Sequence, residues 1–237
     1  EKFYRSWVDS GDLVSFEVRE KETDLFILAD KVLQDQAKSS LHKYRQELEN
    51  YIAKRRIFKE TLAPLEPVGG EPLIVKEMLD AANLAGVGPM ASVAGPVSDF
   101  VGMDLLRFSN ELIIENGGDI FVNTLKERLF GIFAGRSPFS GKIALRIKPR
   151  NEPFGVCTSS ATVGPSLSLG NTDATVVISK KASIADAFAT AIGNMVKSES
   201  DLKKAASFAK ENKHIIGVLI IIQEKIAVWG DIEIVKL

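Results

Sequence analysis

Apolar and polar positions follow two different periods along this chain. Three stretches near the start, FYRSWV, LVSFEV and DLFILA, read as strands, separated by DSGD and by the charged REKET. After Ala29 the spacing changes: Leu33, Ala37, Leu41, Tyr44, Leu48 and Ile52 recur every three or four residues. That spacing predicts one long amphipathic helix, with Lys, Arg, Gln and Glu on its solvated face. PLEPVGGEP (64–72) then interrupts the chain with three prolines and two glycines, a connection between two parts. Helices are expected over Leu73–Leu84 and roughly over Ala91–Phe108. Residues 111–148 form a strand-rich block, ELIIE, DIFVNT, RLFGIFAG and KIALRIK. A loop of small residues leads to the strand DATVVIS, then to helices near Ser183–Lys197 and Asp201–Asn212. GVLIII, KIAVWG and IEIVKL end the chain as strands.

Strands at both ends and in the middle, with helices between them, point to an α+β fold with mixed, largely antiparallel sheets. A single domain is expected over 1–237. Residues 1–62 would form a strand-and-long-helix part, and 63–237 the part that carries a ligand site.

Composition narrows the field. Across 237 residues, 45% hydrophobic and 26% charged content is that of an ordinary globular protein. A formal charge of −1 argues against a general affinity for nucleic acid or anionic membrane. Cys157 is the single cysteine, which excludes an internal disulfide and fits a reducing compartment. The apolar run Ile215–Ile222 is too short to span a bilayer and reads as an interior strand. EKFYRSWVDSG has no apolar core of signal-peptide length, so a cytoplasmic protein is the expectation. A homodimer is the commonest oligomer for such a chain.

Four stretches could carry chemistry. In Asn116-Gly117-Gly118-Asp119, two glycines let backbone N–H groups approach an anion, with Asp119 available to a polar atom. A tight hairpin explains the same residues, and turn chemistry alone favours it. GVCTSSATVGPSLSLGNTDA (155–174) reads as a loop offering Thr158, Ser159, Ser160, Thr162, Ser166 and Ser168 hydroxyls, suited to a diphosphate or simply to a surface loop. A nucleophilic Cys157 would need His42 or His214 beside it. In ASIADAFATAIGN, Ser183 is a candidate helix cap, and Asp186 and Thr190 lie one turn apart on one face. Both are hard oxygen ligands suited to Mg²⁺, although Asp186 could equally serve the positive end of a helix. AGVGPMASVAGPVSDFVG (85–102) makes a glycine- and proline-rich helix entry, open to an anion or to close helix packing. No GxGxxG, Walker A, HExxH or paired-cysteine zinc pattern is present.

Taken in this order, these stretches resemble the ApbE-like superfamily, whose members include FAD-dependent protein FMN transferases. Gly117-Gly118-Asp119 matches the family's Gly-Gly-Asp, and Thr158-Ser159-Ser160 is similar to its Thr-Ser-Gly. Ala185-Asp186-Ala187 followed by Thr190 resembles its metal motif. KETDLFI, AGVGPMASVAG, ENGGDIF and ADAFATAIGN are closer still to a second, cytoplasmic branch of the superfamily. The resemblance implies a flavin nucleotide, FAD, held with Mg²⁺. Gly117, Gly118, Asp119, Thr158, Ser159 and Ser160 would line the cofactor, and Asp186 and Thr190 would bind the metal. It also implies an acceptor protein whose Ser or Thr hydroxyl receives FMN. It assigns no catalytic residue here, because 164–171 lacks the transferases' His-x-x-Asp-Pro-x-Thr-Gly and carries Pro165 where the second branch has His. The alternative it leaves is a flavin- or nucleotide-binding accessory protein without transferase activity, in anaerobic redox or sulfur (homocysteine) metabolism.

Overall fold

The computed structural model describes Arg5, residues 10–163 and residues 168–237. The first expected strand, FYRSWV, falls outside the described residues apart from Arg5, and so do Gly164–Leu167.

Two hairpins begin the larger sheet. Strands β1 (Val14–Glu20) and β2 (Thr23–Ala29) pair antiparallel, and β2 continues onto β3 (Leu112–Asn116) and β4 (Asp119–Asn123). Next come β7 (Phe154–Ser159), β8 (Ala174–Ser179), β9 (Ile215–Ile222) and β10 (Lys225–Gly230), giving eight strands in the order β1-β2-β3-β4-β7-β8-β9-β10. Between β4 and β7 the chain leaves this sheet for β5 (Arg128–Gly131) and β6 (Ile143–Ile147), which join β11 (Ile234–Lys236) in a three-stranded sheet. All pairings are antiparallel.

Helices cover one face of the large sheet and the small sheet covers the other. The expected long helix is α1 (Gln34–Lys54), burying Ala37, Leu41, Tyr44 and Leu48. A single turn, α2 (Ile57–Glu60), precedes the proline-rich connection, and α3 (Leu73–Ala85) follows it. The expected helix over 91–108 is a 3₁₀ turn, Pro89–Ser92, followed by α4 (Ala94–Leu105). The last helices are α5 (Ala182–Met195) and α6 (Leu202–Glu211). Two apolar cores lie on the helical side: α1, α3 and α4 pack with β2 and β3, and α5 and α6 pack with β7 to β9. A third fills the space between the sheets, where Phe130, Leu145 and Ile147 meet Ile113, Val122, Val156 and Leu219. This is the α+β architecture expected. No helix among the described residues is long and apolar enough to cross a membrane.

One element departs from expectation. Residues 154–159 are not loop but strand β7, in the interior of the sheet between β4 and β8. Its small residues are there because α5 lies directly on it: a Cβ at Gly155 would collide with the Lys181 and Ala182 backbone.

Candidate functional site

Asn116-Gly117-Gly118-Asp119 is the tight hairpin that its turn chemistry favours. Asn116 pairs with Asp119, and Gly117 and Gly118 adopt φ of +68° and +104°, which L side chains rarely tolerate. Conformation therefore accounts for both glycines. The outer side of the turn is nonetheless open, since a Cβ on Gly117 would meet nothing within 4 Å.

Strand alternation sends Asp119 and Phe121 to the helical face, opposite Cys157 and Gly155 on β7. Asp119 is tied to the first turns of α4. Ser98 Oγ donates to the Asp119 carbonyl at 3.1 Å, and Asn116 Nδ2 donates to the Ala94 carbonyl at 3.2 Å. Helix α4 crosses α5 close to both N-termini. A Cβ at Gly95 would run into the Ala182 carbonyl and come within 2.9 Å of the Asp186 Cβ.

At that crossing the helices exchange caps. Asp99 on α4 accepts from the Ala182 and Ser183 amides of α5 at 2.9 and 2.8 Å. Asp186 on α5 accepts from the Gly95 amide of α4 at 2.9 Å. Each carboxylate meets orphan N–H groups and the positive end of the other helix. This corrects the expected role of Ser183. Its hydroxyl caps nothing and instead donates to Glu77 Oε1 at 2.7 Å. It also refines the bland reading of Asp186, which serves a helix start other than its own.

Caps alone leave this interior short of positive charge. Burial pushes the Asp186 carboxyl up to about 7; the Gly95 and Ala94 amides oppose it, and the Asp99 charge adds to it. Burial likewise moves Asp99 to about 6, against the Ser183 and Ala182 amides. Asp119 is raised well above the usual carboxylate range, by burial first and the neighbouring Asp186 second. Only 8% exposed, Asp119 keeps one oxygen, Oδ1, buried with no hydrogen-bond partner. Burial and the same acids raise the Cys157 thiol, whose Sγ donates to the Ala182 carbonyl at 3.2 Å. Cys157 is thus a buried, protonated packing residue, and His42 lies at the surface against Glu20.

Of the remaining candidates, Thr190 and Ser159 fall along the seam between β7 and α5. Asp186, Thr190 and Gly193 share one face of α5 by their spacing. Thr190 Oγ1 donates to the Ala91 carbonyl at 3.2 Å, leaving its lone pairs uncommitted. Thr158 sits beside the turn, its N–H bonded to the Gly118 carbonyl at 3.1 Å. By alternation, however, its side chain leaves β7 on the face of Val156, away from α5, which corrects its expected place along the cofactor. A Cβ at Gly193 would touch the hydroxyls of Thr172 and Thr175, both at 3.4 Å, and that of Ser159 at 3.8 Å. Ser160 stands apart, its Oγ accepting from the amides of Thr162 and Val163 at 3.1 and 3.0 Å. Ser166, also offered as a loop donor, lies outside the described residues. A shallow cleft of about 500 Å³ lies elsewhere, lined by Arg136, Asp173, Glu199, Gln223 and Lys225 among others. Among the described residues no group of three or more His, Cys, Asp or Glu side chains converges as a metal cage. A cation in the seam would therefore take one or two carboxylates and neutral oxygens.

Two further residues of this region carry a signal in the sequence itself. Asp99 is a carboxylate on the apolar side of a helix, and Glu115 is a charge inside a buried strand.

The class of this architecture is clear from solved structures. The flavin transferase ApbE from Vibrio cholerae superposes with a TM-score of 0.60 at 12% identity, covering 92% of this chain and 97% of that one. The ApbE protein from Thermotoga maritima gives 0.59 at 13% identity, covering 92% and 97%. These likenesses establish an ApbE fold. The family described as AbpE bacteria matches residues 5–228, and the chain belongs to it. A UPF0280 protein of Methanocella arvoryzae is 41% identical over 89% of this chain and 86% of its own length. A UPF0280 protein of Methanocaldococcus jannaschii is 38% identical over 91% of each. The resemblance read from the motifs is borne out.

Proposed function

We propose that this protein binds a flavin nucleotide together with a divalent cation along the seam between the Gly117–Gly118 turn and α5. FMN transfer from FAD to a protein hydroxyl is the reaction its class would carry. The observation behind this reading is the unpartnered, buried Oδ1 of Asp119 beside Asp186, in an interior where carboxylates meet carboxylates. An interior with excess negative charge and a missing partner suits a hard cation.

The residues present fit the group. Asp186 and Thr190 would supply oxygens one helical turn apart, and Asp119 Oδ1 a third. When bound, Mg²⁺ would neutralise a diphosphate and stabilise charge developing on a transferred phosphoryl group. The chain's own contribution is positional. The helix caps fix Asp186, Ala91 orients Thr190 by accepting from its hydroxyl, and the turn presents open backbone on which a planar ring can lie. Ser159 borders the same seam and would meet the nucleotide, whereas Thr158 could reach it only through its backbone beside the turn, and Ser160 is held on the Thr162 and Val163 amides.

A second reading, a non-transferase flavin- or nucleotide-binding accessory protein, is favoured by the sequence of 164–171, which lacks the transferases' His and Asp-Pro. Titration with FAD, with and without Mg²⁺, tests the shared core. Tight binding should require Mg²⁺ and disappear in Asp186→Ala. Release of AMP with a candidate acceptor protein selects the transferase, and binding without release selects the accessory protein. If FAD fails to bind in either condition, the proposal is wrong.

A further inference from the structure

Glu115 is the last residue of β3 before Asn116, and by alternation with Ile113 its side chain leaves the sheet on the face away from the helices. Its Oε1 accepts from the Gly118 amide at 2.8 Å, and its Oε2 accepts from Arg5 Nε at 2.8 Å. The Arg5 guanidinium is almost fully buried. Its other donors reach Glu17 Oε1 at 2.8 Å, Asp24 Oδ1 at 3.1 Å and the Asp24 carbonyl at 2.8 Å. The opposite face of the turn is held by Asn116 on Ala94 and by Ser98 on the Asp119 carbonyl.

A hairpin needs none of this. Gly-Gly closes a two-residue turn unaided, and a turn amide can bond to water. Desolvating a carboxylate and a guanidinium to hold one glycine amide is costly, and such a pair is poor evidence of added stability. What it does provide is a fixed backbone at Gly118, and the next residue carries the unpartnered Oδ1. Outer groups of this kind orient the atoms that meet a metal, and their loss typically lowers metal affinity about 10–100-fold.

We infer that Glu115 is a positioning residue whose bond to the Gly118 amide fixes the Gly117–Gly118 turn and so keeps Asp119 Oδ1 aimed into the seam it shares with Asp186. The inference rests on the reading of that seam as a cation site.

Mn²⁺ serves as the probe, added to the full chain without flavin and followed by electron paramagnetic resonance, with exchange of the Gly118 amide read in parallel. In Glu115→Ala the amide should lose protection and Mn²⁺ affinity should fall by about tenfold or more. The double variant Arg5→Met/Glu115→Gln offers Gly118 an acceptor again without burying an unpaired guanidinium, and it should restore affinity to near wild type. Glu111→Gln, at the far end of β3, should leave Mn²⁺ affinity unchanged and so controls for lost stability. Should Glu115→Ala fail to fold, Arg5→Met/Glu115→Leu removes the grip with apolar groups and should show the same loss of affinity. Wild-type Mn²⁺ affinity in a folded variant without the Gly118 bond overturns the inference alone. A double variant as weak as Glu115→Ala also overturns it. A wild-type chain that takes up no Mn²⁺ overturns the reading of the seam, and the inference with it.

Discussion

The two ends of β3 dispose of buried charge in opposite ways. At the leading end, Glu111 accepts from Arg128 at 3.1 Å, Thr124 Oγ1 at 2.8 Å and the Leu125 amide at 3.0 Å. Burial pushes the Glu111 carboxyl up, but these donors together hold it below its usual range. At the trailing end, Glu115 is equally well matched, yet across the turn Asp119, Asp186 and Asp99 are all pushed upward. An interior charge with a full set of partners belongs to the architecture. Several charges of one sign, buried with an oxygen left over, are the feature on which the proposed cation site rests.

The largest expected effect breaks the leading end. Arg128→Met leaves Glu111 buried without its cation and should cost about 3–5 kcal/mol in urea unfolding. FAD and Mn²⁺ binding by the folded fraction should be unchanged; a parallel loss of binding would erase the distinction between the two ends.

At the trailing end the sign reverses. The folded Asp186 carboxyl is raised from about 3.8 to about 7, so between those pH values the folded chain holds more protons than the unfolded one. The stability linked to this proton is complete below about pH 4 and is lost as pH rises through 7. Asp186→Asn keeps an oxygen for the Gly95 amide and removes the charge. It should raise stability at pH 8 by about 1–2 kcal/mol while abolishing cation-dependent binding, a trade common at functional sites. Thermal melts at pH 5 and pH 8 without divalent cations check this, the gap between the two proteins narrowing at the lower pH. Adding Mg²⁺ at pH 8 should raise the melting temperature of the wild type and leave Asp186→Asn where it was. A variant less stable than the wild type at pH 8 would show that the carboxylate is architectural after all.

Smaller effects sharpen the geometry. Gly95→Ala forces a methyl against the Ala182 carbonyl and Asp186 and should cost about 1–3 kcal/mol, with weaker Mn²⁺ binding as the crossing opens. Gly117→Ala meets no atoms and pays only for its positive φ, on the order of 1 kcal/mol. Its informative readout is FAD affinity, which should fall if the ring lies on that backbone.

Much of the architecture was legible because it is local. The spacing of Leu33 through Ile52 gives α1, and Gly117-Gly118 gives the hairpin, since both depend on residues within a few positions of each other. Strand β7 was not legible, because Gly155, Cys157 and Ser159 are small for a reason that lies on another element, the close approach of α5. The site divides the same way. Asp186 and Thr190 announce themselves by helical spacing, whereas the pairing of Asp99 with Ala182 joins residues 83 apart and that of Arg5 with Glu115 joins residues 110 apart. Partnerships at that range leave no periodic trace.

Because α4 and α5 each supply the carboxylate that finishes the other's first turn, neither can fray without disturbing its neighbour. Their opening amides should exchange with solvent at a common rate, as one cooperative unit. A ligand that steadies Asp186 would then slow exchange on a helix it never touches.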